Sequence, residues 1–165
     1  MPVDHYTDET LLDVLKRTRT IAMIGASPNW VRPSYFAMKY MQTKGYRVIP
    51  VNPGSAGKPI LGEMCYASLG EIPDTFELVD VFRRADAVPA IVDESIAIAK
   101  EKGIRTIWMQ LGVRHEEAAA KAEAAGLDVI MDRCLKIEFG RLSGELSWGG
   151  INSGRISSRR RRLIA

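Results

Sequence analysis

The strongest constraint in this sequence is a five-fold alternation of short apolar runs with helical patterns. The runs cover residues 20–25, 46–51, 77–82, 105–110 and 127–131. Most are continuous rather than alternating in polarity, as strands covered on both faces require. Helical patterns fill 33–44, 87–102 and 116–125, and Gly45, Gly103 and Gly126 follow them. A chain that leaves a helix for a strand needs a residue tolerant of positive φ, and glycine supplies it cheaply. Thr7 precedes Leu11, Leu12 and Leu15, which share one helical face, so a short N-terminal helix is expected as well. Residues 52–73, richer in Gly and Pro, read as a long loop with one helical turn near 66–69. Strand and helix alternating through short connections imply right-handed crossovers and a parallel sheet with helices on both faces, an α/β fold.

Charge and length bound the rest. At 165 residues one domain is expected, with 46% hydrophobic and 26% charged residues. The 23 basic and 20 acidic residues are unevenly placed: residues 141–165 hold six arginines and one acid, leaving 17 basic and 19 acidic groups elsewhere. The division is therefore a domain over 1–140 and a basic extension over 141–165. The globular part is slightly acidic, so nucleic acid is not the expected partner. The arginine run suits either an anionic surface or a solvated terminus. Trp148-Gly-Gly150 suits a contact with the domain, a second copy or a protein partner. No apolar run spans a bilayer, no secretory signal opens the chain, and two cysteines form no framework. A cytoplasmic protein without a membrane partner is expected. With only His5 and His115, histidine-based metal or triad chemistry has little material, and no catalytic or metal-binding residue is assigned.

Ligands of parallel sheets sit beyond the carboxyl ends of the strands, so those ends carry the argument. After the first run, Gly25 lets a ligand approach the backbone, Ser27 and Ser34 offer hydroxyls, Arg32 offers a fixed cation, and a helix start near Pro33 favours anions. This suits a diphosphate, the alternative being a plain strand–helix turn with a surface arginine. It is not the dinucleotide fingerprint, because Ser27 and Trp30 stand where G-x-G-x-x-G needs glycine. The second run ends at Asn52, where NAD-binding sheets place a ribose-reading acid, and Lys58 follows. NADP or another phosphorylated adenosine therefore fits better than NAD, although a lone loop lysine also suits solvent. Gly57-Lys58-Pro59 is not a phosphate loop of the Walker type, for Pro59 replaces the magnesium-binding hydroxyl. Phe82 suits the core or an adenine face, one of Arg83 and Arg84 suits a phosphate, and Gln110 suits the mouth of a site.

Six stretches carry a family resemblance. They are Ile24-Gly-Ala-Ser27 with Arg32-Pro-Ser34, Pro50-Val-Asn-Pro53, Ser68-Leu-Gly-Glu-Ile-Pro73, Val79-Asp-Val-Phe-Arg83, Ile107-Trp-Met-Gln-Leu-Gly-Val113 and Val129-Ile-Met-Asp-Arg-Cys134. In this order the chain resembles the CoA-binding domain family, small stand-alone proteins related to the N-terminal domain of the succinyl-CoA synthetase alpha subunit. The resemblance implies a Rossmann-like three-layer αβα fold with a five-stranded parallel sheet in the order 3-2-1-4-5. It implies coenzyme A or an acyl-CoA as ligand and cofactor, bound without catalysis. By position, Gly25, Ala26, Ser27, Arg32 and Ser34 would hold the diphosphate. Val51, Asn52 and Pro53 would line the adenosine, with Lys58 near the 3′-phosphate. Phe82 and Arg83 would lie beside the nucleotide, and Gln110 toward the pantetheine. The synthetases' phosphorylated histidine has no counterpart at His115, which reads as a polar residue at a helix start. The competing expectation is an NADP-dependent oxidoreductase, for which no proton-donor pair presents itself.

Overall fold

The computed structural model describes residues 6–144. Five parallel strands form the sheet: β1 (Thr20–Ile24), β2 (Arg47–Val51), β5 (Leu78–Val81), β6 (Thr106–Met109) and β7 (Asp128–Ile130). A two-stranded antiparallel hairpin, β3 (Pro59–Ile60) and β4 (Glu63–Met64), lies in the long connection after β2. Helices α1 (Asp8–Arg17), α2 (Pro33–Thr43) and α5 (Leu135–Ser143) bury Leu11, Leu15, Met38, Met41 and Phe139 with Ile21, Met23, Leu78 and Trp108 of the sheet. Helices α3 (Val88–Lys102) and α4 (Glu116–Ala124) bury Val88, Val92, Ala118 and Ala122 with Ala22, Val79, Val81 and Ile107. Successive strand residues thus point into different layers, and both layers are apolar, which is why the runs read as continuous. The αβα sandwich and the five-stranded parallel sheet are as expected.

The strand order is not. Counting only the parallel strands, the sheet runs 2-1-3-4-5 (β2-β1-β5-β6-β7), so the order 3-2-1-4-5 is corrected. The third strand pairs with β1, Ile21 to Leu78 and Ile24 to Val81, and not with β2. Two local facts force this. The outer edge of β2 is already occupied by Tyr66, whose N–H donates to Pro50 O at 3.0 Å and whose O accepts the Asn52 N–H at 2.8 Å. Pro50 itself has no N–H to give and belongs on an edge strand. The connection from β2 to β5 also holds no α-helix, only 3-10 turns and the hairpin. The switch in strand order therefore falls between β1 and β5.

The helix ends follow side-chain chemistry. Thr7 Oγ1 accepts the Thr10 N–H at 3.1 Å and starts α1. His115 Nδ1 accepts the Ala118 N–H at 3.1 Å and starts α4, so this imidazole is a helix cap. The sequence reading did not separate α5 from the chain around it. Its apolar residues Leu135, Phe139 and Leu142 lie on one face, and Arg141 pairs with Asp8 and Glu138 at 2.8 Å each. The helix therefore runs across residue 140 and ends at Gly144. The arginine run and Trp148 lie outside the described residues.

One buried hydroxyl ties the two ends of this layer together. Tyr46 is 5% exposed and its OH donates to Leu15 O at 2.6 Å, one of the carbonyls that the last turn of α1 leaves unpaired. Burial pushes its phenol pKa far up, so the OH stays protonated and keeps donating. Tyr46→Phe is expected to lower stability by about 1–2 kcal/mol, measured by denaturant unfolding, because the carbonyl loses its partner. An unchanged midpoint would mean that water replaces the phenol.

Candidate functional site

The switch between β1 and β5 brings the loop after β1 against the end of β5. Gly25 leaves β1 with φ +84°. Its N–H donates to Val51 O at 2.9 Å, and the Phe82 N–H donates to Ile24 O at 2.8 Å. A Cβ built at Gly25 would stand 2.1 Å from Phe82 O, so only glycine permits the approach. The loop then folds on itself. Ser27 Oγ accepts the Asn29 N–H and Asn29 Oδ1 accepts the Val31 N–H, both at 3.1 Å. Pro33 opens α2, whose first turn carries no acid and whose N-cap, Arg32, makes no side-chain cap. The positive end of α2 is thus left open to an anion.

A cleft of about 560 Å³ lies there, lined by Gly25, Ser27, Arg32, Pro33, Ser34, Asn52, Pro53, Phe82 and Arg83. A second hollow of about 740 Å³ shares Pro33, Phe82 and Arg83 with it and extends past Arg84, Gln110, Leu111 and Val113. The two form one groove over the carboxyl ends of β1, β5 and β6. Neither half is lined by a carboxylate, and Arg32, Arg83 and Arg84 have no ion-pair partner among the described residues. Unpaired guanidinium groups converging on a cleft without acids form a receptor for a polyanion.

Asn52 holds the cleft wall. Its Nδ2 donates to Ala26 O at 2.8 Å and its Oδ1 accepts the Gly54 N–H at 3.0 Å. Cys65 is buried behind it, with Sγ 3.6 Å from Asn52 O, and burial pushes this thiol's pKa up. Gln110 is half-buried, and its Oε1 is enclosed and without a partner among the described residues. Gln110 thus lines the second hollow while its own carbonyl oxygen is turned away from solvent.

Of the twelve residues singled out from the sequence, Gly25, Ser27, Arg32, Ser34, Asn52, Pro53, Phe82 and Arg83 share the first cleft, and Gln110 faces the second. Ala26 and Val51 do not line it. They are 1% and 3% exposed and contribute through their carbonyls, to Asn52 and Gly25. Lys58 is not brought into the cleft and stands exposed at the base of the hairpin. Arg84, the alternative to Arg83 as a phosphate partner, lines the second hollow, whereas Pro33, Leu111 and Val113 were not singled out as lining residues. Pro33 reads in sequence only as a helix start, and the others follow strand ends whose neighbours depend on strand order. Asp132, also unforeseen, has φ +58°, and its Oδ1 accepts the Gly112 N–H at 2.6 Å, which fixes the rim at Gln110–Val113. Among the described residues no cluster of His, Cys, Asp and Glu could hold a metal ion, and no helix is long and apolar enough to cross a membrane.

Comparison with known proteins agrees on one family. Residues 19–140 match the family described as CoA binding domain. The chain is 36% identical over 125 residues to Uncharacterized protein YneT of Bacillus subtilis, covering 76% of this chain and 88% of that protein. It is 29% identical over 147 residues to Acetate–CoA ligase (ADP-forming) II of Archaeoglobus fulgidus, covering 86% of this chain but 21% of the ligase. A solved structure, a hypothetical protein from Pyrococcus horikoshii OT3, is similar with a TM-score of 0.77 and 38% identity, covering 86% of this chain and 96% of that one.

Proposed function

Because the chain belongs to the CoA binding domain family, we propose that it binds coenzyme A, free or acylated, without chemistry of its own. The observation that carries this reading is the acid-free cleft at the β1/β5 switch, lined by the unpaired Arg32 and Arg83. The diphosphate sits on the Gly25–Ser34 segment at the start of α2. The adenosine follows Asn52 and Pro53, with Val51 buried behind them, and Lys58 reaches its 3′-phosphate from the hairpin. The pantetheine arm passes Phe82 into the hollow beside Gln110. The name of the A. fulgidus relative, a CoA ligase, supports the same ligand. The free thiols of Cys65 and Cys134 suit a reducing cytoplasm.

Calorimetric titration with CoA, dephospho-CoA, NAD and NADP tests the reading. CoA is expected to bind most tightly. Arg32→Ala is expected to weaken it roughly 10- to 100-fold, the equivalent of a charge-assisted hydrogen bond of about 1.5–3 kcal/mol. Lys58→Ala is expected to weaken CoA and leave dephospho-CoA unchanged. Binding of NADP with no response to CoA would overturn the proposal and favour an NADP-dependent oxidoreductase.

A further inference from the structure

We propose that Asn52 is the positioning residue that joins the diphosphate and adenosine halves of the cleft into one site, and that it bars a ribose-reading carboxylate from this position. The inference rests on the CoA reading above and adds to it how the site selects its nucleotide. Asn52 sits where the chain leaves β2, and its side chain is committed at both ends. Nδ2 donates to Ala26 O, in the loop that leads to α2, and Oδ1 accepts the Gly54 N–H, in the turn that follows β2. A backbone carbonyl only accepts and a backbone N–H only donates, so these partners demand one donor and one acceptor on the same short side chain. Asparagine meets that demand. Aspartate at pH 7 offers acceptors only, and one of its oxygens would face Ala26 O where the 2.8 Å bond now lies. The backbone of Asn52 is anchored as well, through its N–H to Tyr66 O at 2.8 Å and its carbonyl from Ser55 N–H at 3.0 Å. The mismatch therefore cannot be relieved on the β2 side, and the loop bearing Ser27 and Arg32 is the part that gives way.

The consequence is a coupling between two half-sites. Pro53 lies on one side of the latch, and Gly25, Ser27 and Arg32 lie on the other. A ligand that spans both halves gains from their fixed spacing, whereas a ligand confined to one half does not. The test uses the full chain and three ligands at pH 7: CoA, adenosine 3′,5′-bisphosphate for the adenosine half, and inorganic pyrophosphate for the diphosphate half. In Asn52→Ser, which adds no charge, CoA affinity is expected to fall at least tenfold and each fragment's affinity by a clearly smaller factor. Asn52→Asp is expected to lose CoA too, and to lose the anionic fragments with it, because it sets a carboxylate in the acid-free lining. A protonated carboxyl has one O–H donor and one C=O acceptor, the same pair as the amide. The thermal midpoint of Asn52→Asp should therefore approach that of the unaltered protein as pH falls from 7 toward 4 and diverge again as pH rises. Asn52→Ser, which keeps a small polar group but cannot reach both partners, should reproduce the CoA loss without the acid rescue. Unchanged CoA affinity in both variants would overturn the inference and leave the CoA reading intact. Fragment affinities that fall as far as CoA in the uncharged Asn52→Ser would also overturn it, since they would show a broken site and not an uncoupled one. An unaltered protein that binds neither CoA nor the fragments would overturn both.

Discussion

Gly25→Ala is expected to weaken CoA binding at least a hundredfold and to destabilise the fold. Two penalties combine. The left-handed backbone of Gly25, at φ +84°, costs an alanine roughly 1–3 kcal/mol. The added Cβ would lie 2.1 Å from Phe82 O and 2.9 Å from Phe82 C, a backbone contact that no rotamer relieves, and forced overpacking of this kind costs a further ~1–3 kcal/mol. The cleft bears the second penalty directly, because separating Gly25 from Phe82 moves Arg83 away from Arg32. Gly103→Ala separates the two. Gly103 has φ +78° with nothing within 4 Å of a built Cβ, and it caps α3 away from the cleft. That variant should show the backbone cost alone, with CoA affinity unchanged. Equal losses of stability in the two variants, together with intact CoA binding in Gly25→Ala, would mean that the β1/β5 approach is not what shapes the site.

The same approach shows what the sequence could and could not reveal. The strands and four of the helices are legible because both sheet faces are buried and because Gly closes three of the turns, at Gly45, Gly103 and Gly126. Strand order is not a property of any run. It depends on which edge of β2 is free, and the signals were a proline inside the second run and the missing helix between the second and third. With the order 3-2-1-4-5, Phe82 and Arg83 would end two strands away from Gly25. In the observed order they are its neighbours, and the cleft exists because of that. The anion character of the site was readable from Arg32 and from the absent acid at Asn52. The reason for the absent acid was not, since it lies in a carbonyl 26 residues away in sequence. Lys58 is the converse case, a cation obvious in sequence whose distance from the cleft lining is set by the hairpin that carries it.

Asp80 was hidden for another reason: it lies within an apolar run and reads as part of a strand. It is 0% exposed, in register with Met23 on β1 and Trp108 on β6, and neither carboxyl oxygen has a hydrogen-bond partner among the described residues. Burial pushes its pKa well above the usual carboxylate range. An unfolded aspartate titrates near pH 3.9, so the folded chain holds this proton over a window that opens there and runs up to the raised value. The stability linked to Asp80 is therefore fully present below about pH 3.9 and is lost as pH rises through that window. The loss proceeds at up to about 1.4 kcal/mol per pH unit, the rate for one proton. Asp80→Asn keeps the shape and removes the titration. Urea unfolding of both proteins from pH 4 to pH 8 is expected to give similar stabilities at the acid end and a gap that widens in favour of Asp80→Asn as pH rises. Every other ionisable group is common to the two chains, so the difference between the curves reports this carboxyl alone. Parallel curves would show that Asp80 is solvated or paired in the folded protein. The position also matters for the site: by strand alternation Asp80 lies directly beneath Phe82 on the same face of β5, and Phe82 lines both halves of the groove. Relief of a buried charge there would loosen the end of β5, so CoA affinity in the unaltered protein should fall more steeply with rising pH than in Asp80→Asn.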